Sequence, residues 1–343
     1  MKYKGVVYDV GLRFVEGGEL SVEPFDSKLV QYNMNIIAHD LSANTVRIEG
    51  EDIDRLVEAT RYANTAGLTV YFNPWKMNVP VEELPEYFHK AAMQAETLRK
   101  EGVDIVFVCG CEMTLFNKGI FPGNSVMERA MWLGGVYQSP DGKEIFAEKS
   151  KALNEILHKI SNAVRSEFLG PITYSSGAWE TVDWTLFDIV GVDYYRNGET
   201  VEEYTSGLEK YKLDKPLIVM EVGSCTYEGA AKMGAGGFML LEGVNSDGTG
   251  RFIDGKVPVR SEQEQANYVE EQLGLLEING ADGVFIYVFS FPVYPFGEGA
   301  RDLDMMSFSL VKTYPDSDPR SKQLPPWEKK ESFYRTKTFF ETH

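Results

Sequence analysis

Two glutamates each close a short apolar run. One is Asp104-Ile-Val-Phe-Val-Cys-Gly-Cys-Glu112, and the other is Lys215-Pro-Leu-Ile-Val-Met-Glu221. Runs of this kind read as buried strands, and the carboxyl end of a barrel strand is where (β/α)8 enzymes keep their reactive groups. Two carboxyls on such a rim can divide labour, one moving a proton and one acting as nucleophile, which is the chemistry that splits a glycosidic bond. Asp9, Glu49 and Asp193 also fall at expected strand ends, so position alone does not choose the pair. Imidazole chemistry is poorly served. His39, His89 and His158 fall in helical stretches and His343 is terminal, which argues against a histidine-rich metal hydrolase site and a Ser-His-Asp triad.

The elements that must position these groups recur as strand, then helix. Strands are predicted over 6–11, 44–49, 68–75, 104–112, 171–176, 189–195, 216–223 and 283–290. Most are nearly continuous runs of Val, Ile, Phe and Tyr, as expected of parallel strands covered on both faces. Leu84, Tyr87, Phe88, Ala91, Ala92, Ala95 and Leu98 recur at helical spacing, as do Ala152, Leu153, Ile156, Leu157, Ile160, Ala163 and Val164. Ser261 and Glu264 read as a capping box before a third such helix, which Gly280 stops. Eight strands with intervening helices predict an α/β chain folded as a single (β/α)8 TIM barrel over 1–343. The alternative, an open doubly wound sheet, would carry a Gly-rich turn after its first strand; here that turn is Asp9-Val-Gly-Leu-Arg13. Long loops are expected at 113–149, 224–260 and 291–304, after strands four, seven and eight. The first two carry Phe116, Phe121, Trp132, Tyr137, Tyr227 and Phe238 and read as ordered pocket walls. A Pro- and Ser-rich tail at 315–327 leads to a closing helix near 328–341.

Composition narrows the partners. The 343 residues carry a net charge of −18, which repels phosphate backbones and anionic lipid, so neither nucleic acid nor membrane is an expected partner. No apolar run reaches the roughly 18 residues a membrane helix needs, and no signal-peptide pattern opens the chain. The three cysteines, Cys109, Cys111 and Cys225, suit a reducing, cytoplasmic setting better than a disulfide scaffold. They read as small buried thiols more readily than as a soft-metal site. Gly234-Ala-Gly-Gly237 reads as a flexible loop rather than a phosphate cradle. A homo-oligomer is compatible with this composition.

A resemblance sharpens the choice of carboxylates. Lys215-Pro-Leu-Ile-Val-Met-Glu221-Val-Gly223 resembles the strand-seven signature of the clan-A (β/α)8 retaining glycoside hydrolases, and the run ending at Glu112 is similar to their strand four. Asn44-Thr-Val-Arg47 resembles strand two, Phe187-Asp-Ile-Val-Gly-Val-Asp-Tyr-Tyr195 strand six, and the stretch from Phe308-Ser-Leu-Val311 to Lys330-Glu-Ser-Phe333 the closing region. The resemblance implies a glycosidase without a cofactor, acting on a carbohydrate, with Glu112 as acid/base and Glu221 as nucleophile. It further implies that Arg47 and Tyr195 contact Glu221 and keep it ionised. The clan carries Asn before the acid/base and Trp on strand eight, whereas this chain has Cys111 and Tyr287. More narrowly, Cys111-Glu-Met-Thr-Leu-Phe116 resembles bacterial proteins labelled "abortive infection protein".

Around that pair, Glu49 stands two residues after Arg47 and Asp193 two before Tyr195, each pair sharing a strand face. Glu49 and Asp193 would bind sugar hydroxyls or complete a structural network with Arg47. Trp75, ending strand three, and Trp179, following strand five, would stack on a sugar or pack the rim, and Tyr287 would line the pocket. Two alternatives stay open: another carboxylate-based barrel enzyme (lyase, isomerase or metal-assisted hydrolase), and a non-catalytic barrel binding a sugar or a protein in phage defence.

Overall fold

The computed structural model describes residues 1–343. Eight parallel strands form one sheet: β1 (Tyr3–Asp9), β2 (Thr45–Gly50), β3 (Thr69–Pro74), β4 (Ile105–Cys111), β5 (Ile172–Ser175), β6 (Val190–Asp193), β7 (Leu217–Val222) and β8 (Gly283–Ile286). β1 pairs with both β2 and β8, and β7 lies between β8 and β6. Closure between β5 and β6 comes from the Ser176 N–H on the Gly191 carbonyl, 3.1 Å, and the Asp193 N–H on the Ser176 carbonyl, 2.8 Å. The sheet is a barrel, and the doubly wound alternative does not hold.

Alternation along each strand sorts the side chains. Val7, Tyr71, Val106, Val108, Ile218, Met220 and Phe285 fill the barrel interior. Their neighbours Val6, Val46, Val70, Phe72, Ile105, Phe107, Cys109 and Val219 join the larger core beneath the helices. Both faces are therefore dry, which is why the strands read as apolar runs.

The helices are α1 (Ser27–Asn35), α2 (Ile53–Thr65), α3 (Leu84–Lys100), α4 (Met113–Phe116), α5 (Val126–Tyr137), α6 (Gly142–Arg165), α7 (Val201–Gly207), α8 (Glu262–Ile278) and α9 (Glu331–Thr342). α3 and α6 follow the predicted spacing. Between β5 and β6 the crossover shrinks to a 3₁₀ turn, Trp184–Leu186. The capping box before α8 is half formed. Ser261 Oγ accepts the Glu264 N–H at 3.2 Å, but the Glu264 carboxylate turns to the Gly229 and Ala231 N–H groups at 2.8 and 3.1 Å. It thereby anchors the connection after β7.

Two expected loops carry more structure than the sequence suggested. The 113–149 stretch holds α4, α5 and the start of α6. Ser125 caps α5 by accepting the Glu128 N–H, and Leu133 and Val136 seat it, while Gly134 and Gly135 mask the helical signal. The 224–260 stretch contains 3₁₀ turns and an antiparallel hairpin, Leu241–Val244 with Gly250–Phe252. Gly234-Ala-Gly-Gly237 lies in the turn Gly234–Leu240, not in an open loop. A Cβ on Gly237 would come within 3.1 Å of Cys225 Sγ, so that glycine permits close packing. Cys225 packs there with Tyr227, Phe252, Met305 and Met306.

The wall after β7 and β8 is tied to the tail by buried ions. Lys330 is fully buried, with Nζ 2.8 Å from Asp304 and 3.1 Å from Thr226 Oγ1. Arg260 reaches both Asp302 and Asp304 at 3.0 Å. No helix is long and apolar enough to cross a membrane.

Candidate active site

At the carboxyl end of the barrel the side chains depart from simple alternation, and two irregularities do it. In β4, Val108 points inward, so Cys111 three residues on should face the helices. A register shift between Val108 and Cys111, with Gly110 at φ +103°, turns it inward instead. In β7, Met220 points inward, so Glu221 should point out. A register shift on each flank, against β6 and β8, brings it into the mouth. Glu112 follows immediately in the left-handed region, φ 40° and ψ 47°, a conformation that a non-glycine residue holds only when its surroundings enforce it. Gly110→Ala is expected to destabilise the fold by about 1–3 kcal/mol through forced positive φ. It should also disturb the turn carrying Glu112. Equilibrium urea unfolding checks the first effect, and an unchanged midpoint would contradict it.

Arg47 is the hub. Its Nε donates to Asn73 Oδ1 at 2.8 Å, and Nη1 donates to Glu221 Oε1 and to the Met220 carbonyl, both at 3.0 Å. Glu49 Oε2 lies 3.3 Å from Nη2 and Asp193 Oδ1 3.8 Å from Nη1. Tyr195 donates its hydroxyl to Glu221 Oε2 at 2.9 Å. Ser175 Oγ donates to Asp193 Oδ1 at 2.6 Å, and Cys111 Sγ lies 3.5 Å from Asp193 and 3.6 Å from Glu221. The geometry thus joins Arg47, Glu49, Cys111, Asp193, Tyr195 and Glu221 in one cluster.

Exposure separates the carboxylates. The side chains of Arg47, Glu49 and Asp193 are 0% exposed while that of Glu221 is 10% exposed, and Glu112 is half-buried. Glu112 and Glu221 are the ones a ligand in the mouth can reach. Glu49 and Asp193 lie sealed beneath, in the position of a structural network with Arg47. Both Glu49 oxygens and Arg47 Nη2 lack well-aligned hydrogen bonds.

One guanidinium faces several carboxyls, and the imbalance appears in their proton affinities. Burial first, then the charges of Asp193, Glu221 and Glu180, lift Glu112 well above the usual carboxylate range, against the pull of Arg47. Burial also lifts Asp193, with Glu221 adding to it, and lifts Glu49 despite Arg47 beside it. Crowded buried carboxyls of this kind retain protons that water would remove.

The aromatic candidates divide. Trp75 is only 3% exposed and stands edge-on to Phe116, centroids 4.9 Å apart, so its contacts are rim packing. Trp179 is half-buried and donates Nε1–H to Thr114 Oγ1 at 2.9 Å. Tyr287 is half-buried, 6.2 Å from Phe308, which in turn lies 5.9 Å from Tyr195. The cysteines do not meet: Cys109 joins the outer core, Cys111 the mouth and Cys225 the cluster under the β7 connection. Sequence reasoning missed Asn73, Ser175 and Glu180. Asn73 and Ser175 sit at strand ends and could have been found there; Glu180 lies in an irregular segment that carries no such signal.

Solved glycoside hydrolase structures share the fold. A GH113 beta-1,4-mannanase superposes with a TM-score of 0.61 at 15% identity, covering 100% of both chains. A GH113 beta-mannanase from Alicyclobacillus acidocaldarius gives 0.54 at 16% identity over 99% of this chain and 97% of that one. A GH5_18 protein from Streptomyces cattleya, in complex with Manb1-4GlcNAc, gives 0.58 at 10% identity over 99% and 80%. No family model and no curated protein matches the sequence. The narrower likeness to proteins labelled "abortive infection protein" finds no support there.

Asp9, at the end of β1, shows what burial does away from Arg47. It accepts the Gly11 N–H at 2.7 Å and a hydrogen bond from Ser21 Oγ, yet burial still raises it from 3.8 to about 6. A folded-state pKa above the unfolded value means that stability is full below about pH 4 and falls as pH rises toward 6. Asp9→Asn lacks that loss. Its stability relative to wild type is expected to climb by up to about 3 kcal/mol between pH 4 and 6. Urea unfolding at a series of pH values reads this directly, and a constant difference across the window would contradict it.

Proposed function

We propose that the protein is a retaining glycoside hydrolase, with Glu221 as nucleophile and Glu112 as acid/base. The observation that carries this reading is the unequal environment of two reachable carboxyls. Glu221 is bound through one oxygen by the Arg47 guanidinium and through the other by the Tyr195 hydroxyl, which together fix its carboxylate at the mouth. Glu112 has no cation of its own and is pushed toward the protonated form by burial and neighbouring charge.

The chemistry follows from that division. Glu112 gives its proton to the glycosidic oxygen as the bond to the anomeric carbon breaks. Glu221 attacks the same carbon and forms a glycosyl ester. Esterification removes one negative charge, so Glu112, now deprotonated, is free to accept a proton from water as that water attacks the anomeric carbon and releases Glu221. Asp193 and Glu49 hold Arg47 from below. Cys111 is a weak donor and acceptor, so it replaces the clan's asparagine without supplying its hydrogen bonds. No cofactor enters any step.

Neighbours described as mannanases, and one holding Manb1-4GlcNAc, make β-mannosides the first substrates to try. The test is a panel of aryl pyranosides and furanosides of both anomers, with the first-formed sugar read by NMR. Turnover with retained configuration supports the reading. Inversion, or no turnover by folded protein on any member, contradicts it.

A metal-assisted hydrolase is the second reading, because Cys111, Asp193 and Glu221 present ligand atoms within 4.8 Å of one another. Against it, Arg47 already occupies Glu221 Oε1 at 3.0 Å. Loss of turnover in chelator, restored by a divalent ion, would favour the metal.

A further inference from the structure

Glu180 belongs to none of the strand ends. It sits in the irregular connection after β5, 4% exposed, and its carboxylate is surrounded by donors. Oε1 accepts the Thr114 N–H at 3.1 Å and the Thr114 hydroxyl at 2.6 Å, while Oε2 accepts the Tyr174 hydroxyl at 3.0 Å and the Gly177 N–H at 3.1 Å. Four neutral donors on two oxygens is the full complement of an ionised carboxylate.

What these bonds hold is the turn that carries Glu112. Thr114 is two residues beyond it. Met113, the residue between, donates its N–H to Tyr174 Oη at 2.8 Å, so both backbone N–H groups after Glu112 end in the Glu180 network. Trp179 closes the circuit by donating to Thr114 Oγ1 at 2.9 Å. The left-handed backbone of Glu112 needs such an external hold.

We propose that Glu180 is the positioning residue of Glu112: it fixes the turn after β4 and presents a buried like charge to the Glu112 carboxyl. The role rests on reading Glu112 as the acid/base. Burial raises Glu180 from 4.5 to about 7, against its four donors, so the charge is present above neutral pH and falls away below it. Its charge is one of those that raise Glu112, after burial, Asp193 and Glu221. The other titratable groups around Glu180 are Tyr174 from β5, Tyr211 from the turn Glu209–Tyr211, and Lys210, whose Nζ lies 3.4 Å from the Ala178 carbonyl.

The test reads Glu112 on the protein itself. Protein labelled with ¹³C at the glutamate carboxyls is titrated by NMR, and Glu112→Gln assigns the Glu112 signal. In Glu180→Gln the like charge is gone, so the Glu112 midpoint should fall by at least about 0.5 pH unit. The basic limb of kcat/KM should move to lower pH with it. A purely structural Glu180 would lower activity and leave the midpoint in place, which overturns the proposal. Should Glu180→Gln not fold, Thr114→Val keeps the carboxylate but removes its 2.6 Å donor. The Glu180 anion weakens and the Glu112 midpoint again falls; an unmoved midpoint overturns the proposal here too. Failure of the acid/base reading looks different, because Glu112→Gln would then retain hydrolysis whatever the titration gives.

Discussion

Glu221→Ala is expected to lose on the order of 10⁴- to 10⁶-fold in kcat/KM, the scale at which removal of a covalent nucleophile reads. The fold should survive the change. Arg47 Nη1 keeps the Met220 carbonyl at 3.0 Å, and loss of the Glu221 charge, which helps hold the protons on Glu49 and Asp193, lets one of these ionise beside the guanidinium, 3.3 and 3.8 Å away, so the buried cation keeps a counter-charge. Added azide should then enter the space vacated by the carboxylate and attack from the same side. The product would be a glycosyl azide of inverted configuration, formed with Glu112 still able to protonate the leaving group. Unchanged turnover in the variant would contradict the assignment of Glu221.

Glu112→Ala should show the opposite selectivity. General acid assistance contributes roughly 10²–10⁴-fold, so a substrate with a poor leaving group should lose that much, while one with a dinitrophenyl leaving group should lose far less in bond cleavage. The pH profile carries a second signature. Activity needs protonated Glu112, whose pKa is raised by burial and then by Asp193, Glu221 and Glu180. Wild-type kcat/KM therefore falls as pH rises through that raised value, and the fall should vanish in Glu112→Ala. Equal losses on both leaving groups, or a basic limb that persists, would contradict the role.

Much of this site was legible in the chain, and the part that was not has a definite cause. The eight apolar runs gave the barrel because both faces of every strand are dry. Glu112 and Glu221 could be placed at strand ends, and the two-residue spacings of Arg47 with Glu49 and Asp193 with Tyr195 correctly put each pair on one face. Strict alternation, however, assigns Cys111 and Glu221 to the helix side. The register shifts that turn them inward are backbone events, and only Gly110 hints at one. Glu180 was invisible because its meaning lies in contacts to Thr114 and Tyr174, 66 and 6 residues away. The helix Val126–Tyr137 in the connection after β4 was hidden by Gly134 and Gly135, which interrupt its apolar spacing.

Cys111 stands where the resemblance to clan-A glycoside hydrolases would place an asparagine. The thiol is 0% exposed and fills the space between Asp193 and Glu221, where a small, weakly polar group separates two carboxyls without binding either strongly. It meets Asp193 and Glu221 from within the barrel, at 3.5 and 3.6 Å.

As the proposed nucleophile, Glu221 must form a covalent bond to the sugar. That bond is tested most directly by incubating the protein with an activated 2-deoxy-2-fluoro glycoside of the sugar it hydrolyses, measuring the intact mass and mapping the labelled peptide. One added fluoroglycosyl group, carried by Glu221, is the expected result. A label on another residue, or hydrolysis that proceeds with no label and inverted product, would contradict it.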